Sequence, residues 1–437
     1  MILSRPLTDA ERRVSLRRLA LYNLANGLSF AGAGETVMVL VAVRLGCPDS
    51  VTAAIGTMFY AGFVMLPLGR AAAARWGGAR TGGAFWAMRN VLALLVPAAA
   101  FWGTNHPAAV SATVLAGVFG FYGCRAAGVV FFGPLVGEAA GPEERGEALG
   151  RTCALFFAGM GLGCPAVLVA LRGAESLGRL SAVMMAGAAF GIWSAWFLAR
   201  AHETEALRAG ARKPIFSDVG GLVANRAFMR LIAAASSVNL LYALVVPASI
   251  VMLRRGYGVS DLSAMAYSIV SVAAGGVASW ANGGLARAIG PRRELLAAYC
   301  LLLASAAVWL LIPGLPDSSP VLLVGGRATV FVALGVAKAL NDTASIHYTI
   351  AVVEPRLVVS ASSVMLMASG CIAGLAGLAL TTLLMARAAA GGATATPGPD
   401  AVEAYRHYFR AVLVVMLPLA AAVWRMLPLP GDAPRAK

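Results

Sequence analysis

Twelve stretches of this chain each run for about twenty residues or more with scarcely a charge, and a helix of that length is what a hydrocarbon core about 30 Å thick demands. In order they cover roughly 19–43, 52–69, 84–102, 110–136, 150–171 and 180–199, then 229–252, 262–281, 294–313, 320–346, 358–386 and 408–427. With 59% of residues apolar, 13% charged and a mean hydropathy of +0.77, a soluble fold could not cover so much apolar surface. Inside lipid every backbone polar group needs a partner within the chain, so runs of this length read as helices. The expected class is an all-α membrane protein with twelve transmembrane helices.

The chain holds 35 Lys and Arg against 20 Asp and Glu. That balance would suit a nucleic-acid binder if the cations formed a patch, but they fall in the short breaks between apolar runs. With the N-terminus placed inside, the inner breaks hold 23 of the 35 and the outer breaks 8. The asymmetry predicts cytoplasmic N- and C-termini and no nucleic-acid partner. Thr8-Asp9-Ala10-Glu11 reads as a helix-opening capping box. It begins a basic stretch through Arg12, Arg13, Arg17 and Arg18 that is expected to lie on the inner leaflet as an anchor, with no cleavage site after it. Five of the six cysteines lie inside apolar runs and Cys47 lies beside one; they read as small hydrophobes.

The polar stretch 200–228, with His202, Glu203, Glu205, Arg208, Arg212, Lys213 and Asp218, divides six spans from six. It is the natural linker between an N-terminal half, 1–199, and a C-terminal half, 229–437. The halves echo each other about 213 residues apart, Asn26 with Asn239, Gly77 with Gly290, Arg80 with Arg293 and Arg125 with Lys338. At about 211 the echoes are Arg145 with Arg356, Gly159 with Gly370 and Gly163 with Gly374. A repeat near half the chain length in a membrane protein predicts two six-helix halves related by a pseudo-two-fold axis along the membrane normal. Gly159 and Gly163, like Gly370 and Gly374, lie four apart on one helix face, where close helix packing is expected.

A basic, glycine-containing loop follows the second span of each half. The first runs from Arg70 through Arg75, Gly77 and Gly78 to Arg80, and the second from Gly283 through Gly290 and Arg292 to Arg293. Six plus six spans, a central linker and these loops resemble the major facilitator superfamily, whose loop after span 2 reads G-x-L-x-D-R-x-G-R-R. The resemblance implies a gating role for Arg75, Gly77, Arg80, Gly283, Gly290, Arg292 and Arg293. Ala74 and Arg287 stand where the family carries its aspartate. In the family that residue helps latch helix ends, so here the latch is expected to be weaker or built otherwise. Pro142-Glu143-Glu144-Arg145-Gly146 resembles the family's loop after span 4, and the segment from Gly159 to Pro165 partly resembles the span 5 pattern of its antiporters.

Charges inside the spans are the residues most open to a functional reading, because each costs about 2.5–3.5 kcal/mol at mid-helix on insertion scales. Arg125 and Lys338 fall at similar depths, about 22–27 Å from the outer face at 1.5 Å per residue. Two cations facing a common space predict an anionic or zwitterionic solute. Lys338 has Asp342 one turn on, so an ion pair along one helix is available; Arg125 has no carboxylate on its own helix. Structural roles stay open for both: carbonyl bonding or snorkelling for Arg125, simple neutralisation by Asp342 for Lys338. Glu35 in span 1 lies about 15 Å in depth from Arg125, too far for a direct pair. It is either a proton-coupling carboxyl, a role Asp342 could share, or a neutral group bonded to the Ala31 carbonyl. Asn26, Asn239 and Tyr122 complete the candidate substrate contacts, with interhelical hydrogen bonding the other account of the asparagines.

No nucleophile triad, phosphate loop, metal-ligand cluster or nucleotide fingerprint is evident, so neither an enzyme nor a cofactor or metal is expected. The expected function is secondary active transport of a small solute across a bacterial inner membrane, by a monomer working in alternating access with coupling to protons. The alternatives are a proton-driven exporter of amphiphilic compounds and a non-transporting scaffold of the same fold.

Overall fold

The computed structural model describes residues 2–103, 105–140, 145–173, 176–212, 219–312, 320–353, 357–390 and 398–427. The Pro142–Glu144 part of the loop after span 4 and Arg356 lie outside them, and so do the side chains of 282–289, Gly283 and Arg287 among them, and that of Arg145. Among the described residues eleven helices are long and apolar enough to cross a membrane. The run expected as span 5 holds a shorter apolar helix, Ala154–Ala170. The chain divides into two compact units, one of Met1–Cys47 with Ala61–Pro214, the other of Pro48–Tyr60 with Ile215–Lys437.

The first unit opens with a two-residue strand β1 (Ile2–Leu3) and helix α1 (Asp9–Ala33). The capping box is present: Glu11 N donates to Thr8 Oγ1, and Thr8 N donates to the Glu11 carboxylate at 2.9 Å. Arg5 pairs with the same carboxylate at 2.8 Å. The sequence suggests one helix for span 1, but α1 ends at Gly34 and α2 (Glu35–Arg44) begins after it. Gly34 is extended and serves as both C-cap and N-cap, and a Cβ there would press on the Phe30 carbonyl at 2.5 Å. Glu35 thus becomes the first residue of a helix, where its charge faces exposed backbone N–H groups.

Span 2 is broken as well. Helix α3 (Asp49–Ala61) passes through a 3₁₀ turn, Gly62–Met65, into α4 (Leu66–Trp76). Pro67 lacks the N–H that would continue the earlier helix, and Gly62 rests on the Tyr122 backbone, where a Cβ would stand 2.7 Å from the carbonyl carbon. Helix α5 (Gly78–Ala93), the short α6 (Leu95–Ala98) and a 3₁₀ turn make span 3; α7 (Pro107–Val129) and α8 (Phe132–Ala140) make span 4. Next come α9 (Arg145–Ala170), α10 (Leu177–Ala199), strand β2 (Glu203–Thr204) and α11 (Glu205–Arg212). Strands β1 and β2 pair in parallel, Ile2 with Glu203. Gly159 and Gly163 face α1, where added Cβ atoms would meet Gly27 and Ala31.

The second unit contains most of α3 and then α12 (Val219–Ala224), α13 (Arg226–Val251), a π-turn (Met252–Gly256) and α14 (Asp261–Leu311). Helices α15 (Pro320–Val352), α16 (Val358–Ala390) and α17 (Pro399–Met426) complete it. Gly370 and Gly374 are buried on α16, and Gly377 on that helix meets Thr57 of α3. Asp49, at the start of α3, pairs with Arg255 and accepts from the Tyr405 hydroxyl. The preceding Arg254 pairs with Asp261 at 2.8 Å. The π-turn sets both arginines against acids on different helices, and the Arg255 and Tyr405 contacts with Asp49 tie the start of α3 to this unit.

Candidate functional site

In the first unit polar residues of spans 1 and 3 meet at Asn26. Its Oδ1 accepts from Trp86 Nε1 and from Arg89 Nη2, both at 3.1 Å. Arg89 is 1% exposed, which makes it the most deeply buried arginine side chain described. Its guanidinium lies between two aromatic faces, 4.5 Å from the Trp86 ring and 4.5 Å from the Phe121 ring. No carboxylate among the described residues pairs with it, so cation–π contact and one amide oxygen do the stabilising. One turn along, Ser29 Oγ donates to Asn90 Oδ1 at 3.2 Å and Asn90 donates to the Trp86 carbonyl at 2.7 Å. Spans 1 and 3 are therefore cross-linked twice. Arg125 is half-buried and acts electrostatically on Arg89. Tyr122 is covered, its ring edge-on to Phe121.

In the second unit Lys338 and Asp342 form the ion pair that their spacing allows. The side chains keep 30% and 57% of their exposure, so the pair presents both signs of charge to its surroundings. The Phe59 ring lies 5.7 Å from Lys338 Nζ. Asn239 is tied at both ends: its Oδ1 accepts from Asn341 Nδ2 at 3.0 Å and its Nδ2 donates to Ser369 Oγ at 3.4 Å. Asn341 Oδ1 is buried with no donor among the described residues. Helices α13, α15 and α16 thus bring together Asn239, Asn341 and Ser369, while the Lys338–Asp342 pair lies on α15. The fourth intraspan cation, Arg327, is 8% exposed and stands 4.3 Å over the Tyr257 ring.

The two loop copies share a backbone. Gly77 has φ 89° and ψ 158°, and Gly290 has φ 76° and ψ 156°, a region essentially closed to residues with a Cβ. Arg75, Arg80 and Arg293 are exposed, while Arg292 lies over the Trp424 ring at 4.4 Å and donates to the Trp424 carbonyl. Two charged residues from the 200–212 segment meet the first loop. Glu203, fully buried, accepts from Gly78 N at 2.6 Å and Ala79 N at 3.2 Å, at the first turn of α5. Arg208 donates to the carbonyls of Ala74 and Arg75 at the end of α4, at 3.2 and 2.7 Å. Acid meets a helix N-terminus and base meets a helix C-terminus, as the helix dipole favours. Burial pushes the Glu203 carboxyl above the usual carboxylate range, and the two backbone donors oppose that rise.

Sequence reasoning counts Arg89 among the cations within spans and Glu203 and Arg208 in the linker, but gives none of them, nor Asn341, a part in the site. Arg89 did carry a signal, since Trp86 precedes it by one helical turn in an apolar run. Glu203 carried none, because its partners lie about 125 positions away.

The fold these helices make is that of the major facilitator superfamily transporters. The nucleoside transporter NupG superposes with a TM-score of 0.67 at 12% identity, over 95% of this chain and 99% of that one. A bacterial homologue of the human lysosomal transporter Spinster, inward-facing and occupied, gives 0.62 at 17% identity over 97% of each chain. A D-xylose–proton symporter gives 0.66 at 11% identity, over 96% of this chain and 98% of that one. No family model matches the chain, and no curated protein matches it in sequence.

Proposed function

We propose that this protein is a secondary active transporter that carries a small anionic or zwitterionic solute across a bacterial inner membrane by alternating access. It works as a monomer of twelve spans in two six-helix halves, with both termini cytoplasmic. The carrying observation is that charge has been kept inside apolar spans of a transporter fold. Arg125 and buried Arg89 supply positive charge in the first unit, and Lys338 with Asp342 supply both signs in the second. Such groups cost several kcal/mol in hydrocarbon and are retained where a pathway uses them. Asn341 Oδ1, on the same helix as Lys338 and buried without a donor among the described residues, adds a hydrogen-bond acceptor. Protons are the coupling ion, taken up by Glu35 or Asp342.

Reconstitution into proteoliposomes tests this reading. Uptake of a labelled organic anion should respond to an imposed pH gradient, and Arg125→Gln with Lys338→Gln should abolish flux while the purified variant keeps its thermal stability. Undiminished flux in the double variant would refute the assignment. Full pH dependence in both Glu35→Gln and Asp342→Asn would remove the proton coupling alone.

A further inference from the structure

We infer that Arg89 is a positioning residue that makes Asn26 a dedicated hydrogen-bond donor to an oxyanion of the cargo. The inference rests on the anionic-solute reading above and goes beyond it in naming the donor and what fixes it.

An asparagine amide has one accepting oxygen and one nitrogen with two donor hydrogens. Trp86 Nε1 and the Arg89 guanidinium can only donate, so the arm of Asn26 that faces them must be the oxygen. Two donors at 3.1 Å fill both lone-pair directions of Oδ1. The amide cannot rotate about its last bond without setting N–H groups against N–H groups. Its nitrogen is thereby committed to the opposite side, and no described residue accepts from it. Asn26 itself retains 7% exposure. The echo residue Asn239 differs, because both of its arms are used within the second unit. The repeat therefore provides two asparagines, of which one keeps a donor in reserve.

Charge points to the same ligand. Arg89 is buried without a carboxylate among the described residues, and Arg125 acts on the same region. A carboxylate at position 26 would answer the buried charge more cheaply than an amide, since it would accept from the same two donors and neutralise Arg89. An amide keeps the local potential positive and leaves a polarised N–H₂ group for an anionic acceptor. The aromatic faces of Trp86 and Phe121 hold Arg89 in place without cancelling its charge. The ligand class is a carboxylate or similar oxyanion.

The test is the one-atom change Asn26→Asp in the full-length purified protein, with Arg89→Gln, Arg89→Lys and Arg125→Gln alongside. Thermal unfolding is followed against succinate, benzoate and L-glutamate, with xylose and uridine as neutral controls. Asn26→Asp should unfold at the same or a higher temperature without ligand, because every contact of Oδ1 is kept. It should bind the stabilising anion about 10- to 100-fold more weakly, the loss expected for one hydrogen bond to a charged group. Arg89→Gln should weaken binding similarly, and Arg89→Lys should recover part of it. If Asn26→Asp binds anions as the wild type does while Arg125→Gln does not, the role of Arg89 and Asn26 is overturned and the anion reading stands. If Arg125→Gln also binds normally, or if no anion stabilises the wild type, both fall.

Discussion

Substituting alanine for Gly77 and, separately, for Gly290 imposes the same backbone penalty in two different surroundings. Both residues hold a positive φ with ψ near 157°, so a Cβ at either costs about 1–3 kcal/mol in conformational strain. At Gly290 no described atom lies within 4 Å of the added carbon, so among the described residues strain is the only cost. At Gly77 the carbon would overlap the Glu203 carboxylate, 2.9 Å from its Cδ, and would touch Ile2 Cδ1 at 3.0 Å. Glu203 is fully buried, and its carboxylate is held by the N–H groups of Gly78 and Ala79, so moving aside breaks at least one charge-assisted hydrogen bond. That adds about 1.5–3 kcal/mol. Gly77→Ala should therefore be the more damaging of the two by that margin, read as a lower midpoint in thermal or denaturant unfolding of purified protein. Glu203→Gln should cost less in the Gly77→Ala background than in the wild type, because the bonds it weakens are already disturbed, with a coupling of about 1 kcal/mol. Equal damage from the two glycine variants, or strict additivity with Glu203→Gln, would refute the claim that Glu203 is the keystone of this loop.

Three other outcomes follow from the same geometry. Because burial raises the Glu203 carboxyl in the folded protein, its contribution to stability is full below the unfolded value and is lost as pH rises through the folded one. Midpoints measured upward from about pH 4.5 should fall more steeply in the wild type than in Glu203→Gln. Asp342→Asn leaves Lys338 without its carboxylate on α15, so the variant should favour anions over zwitterions in competition between benzoate and L-alanine, and an unchanged preference would exclude the pair from the binding site. Asp49→Ala removes the acid shared by Arg255 and Tyr405 and should cost about 1–3 kcal/mol in stability, whereas Asp49→Glu should retain much of it.

The lengths of the apolar runs determined most of the helix positions, because a backbone in lipid has almost no alternative to the helix. Local chemistry legible in the chain also appears in three dimensions: the Thr8–Glu11 box, the i,i+4 pair of Lys338 with Asp342, and the two loop glycines that share one conformation. Each of these depends on residues within a few positions of one another. What depends on distant partners was invisible. The breaks at Gly34 and Gly62–Met65 interrupt runs whose hydropathy is continuous, since they answer to the conformation of Gly34, the ring of Pro67 and the packing of Gly62 on Tyr122 rather than to polarity. Glu203 looks like an ordinary linker acid until it is found buried at the start of α5. Asn26 can present either arm of its amide as far as the sequence is concerned. Only the packing of spans 1, 3 and 4 puts two obligate donors against its oxygen and so decides that the nitrogen is the group left to bind.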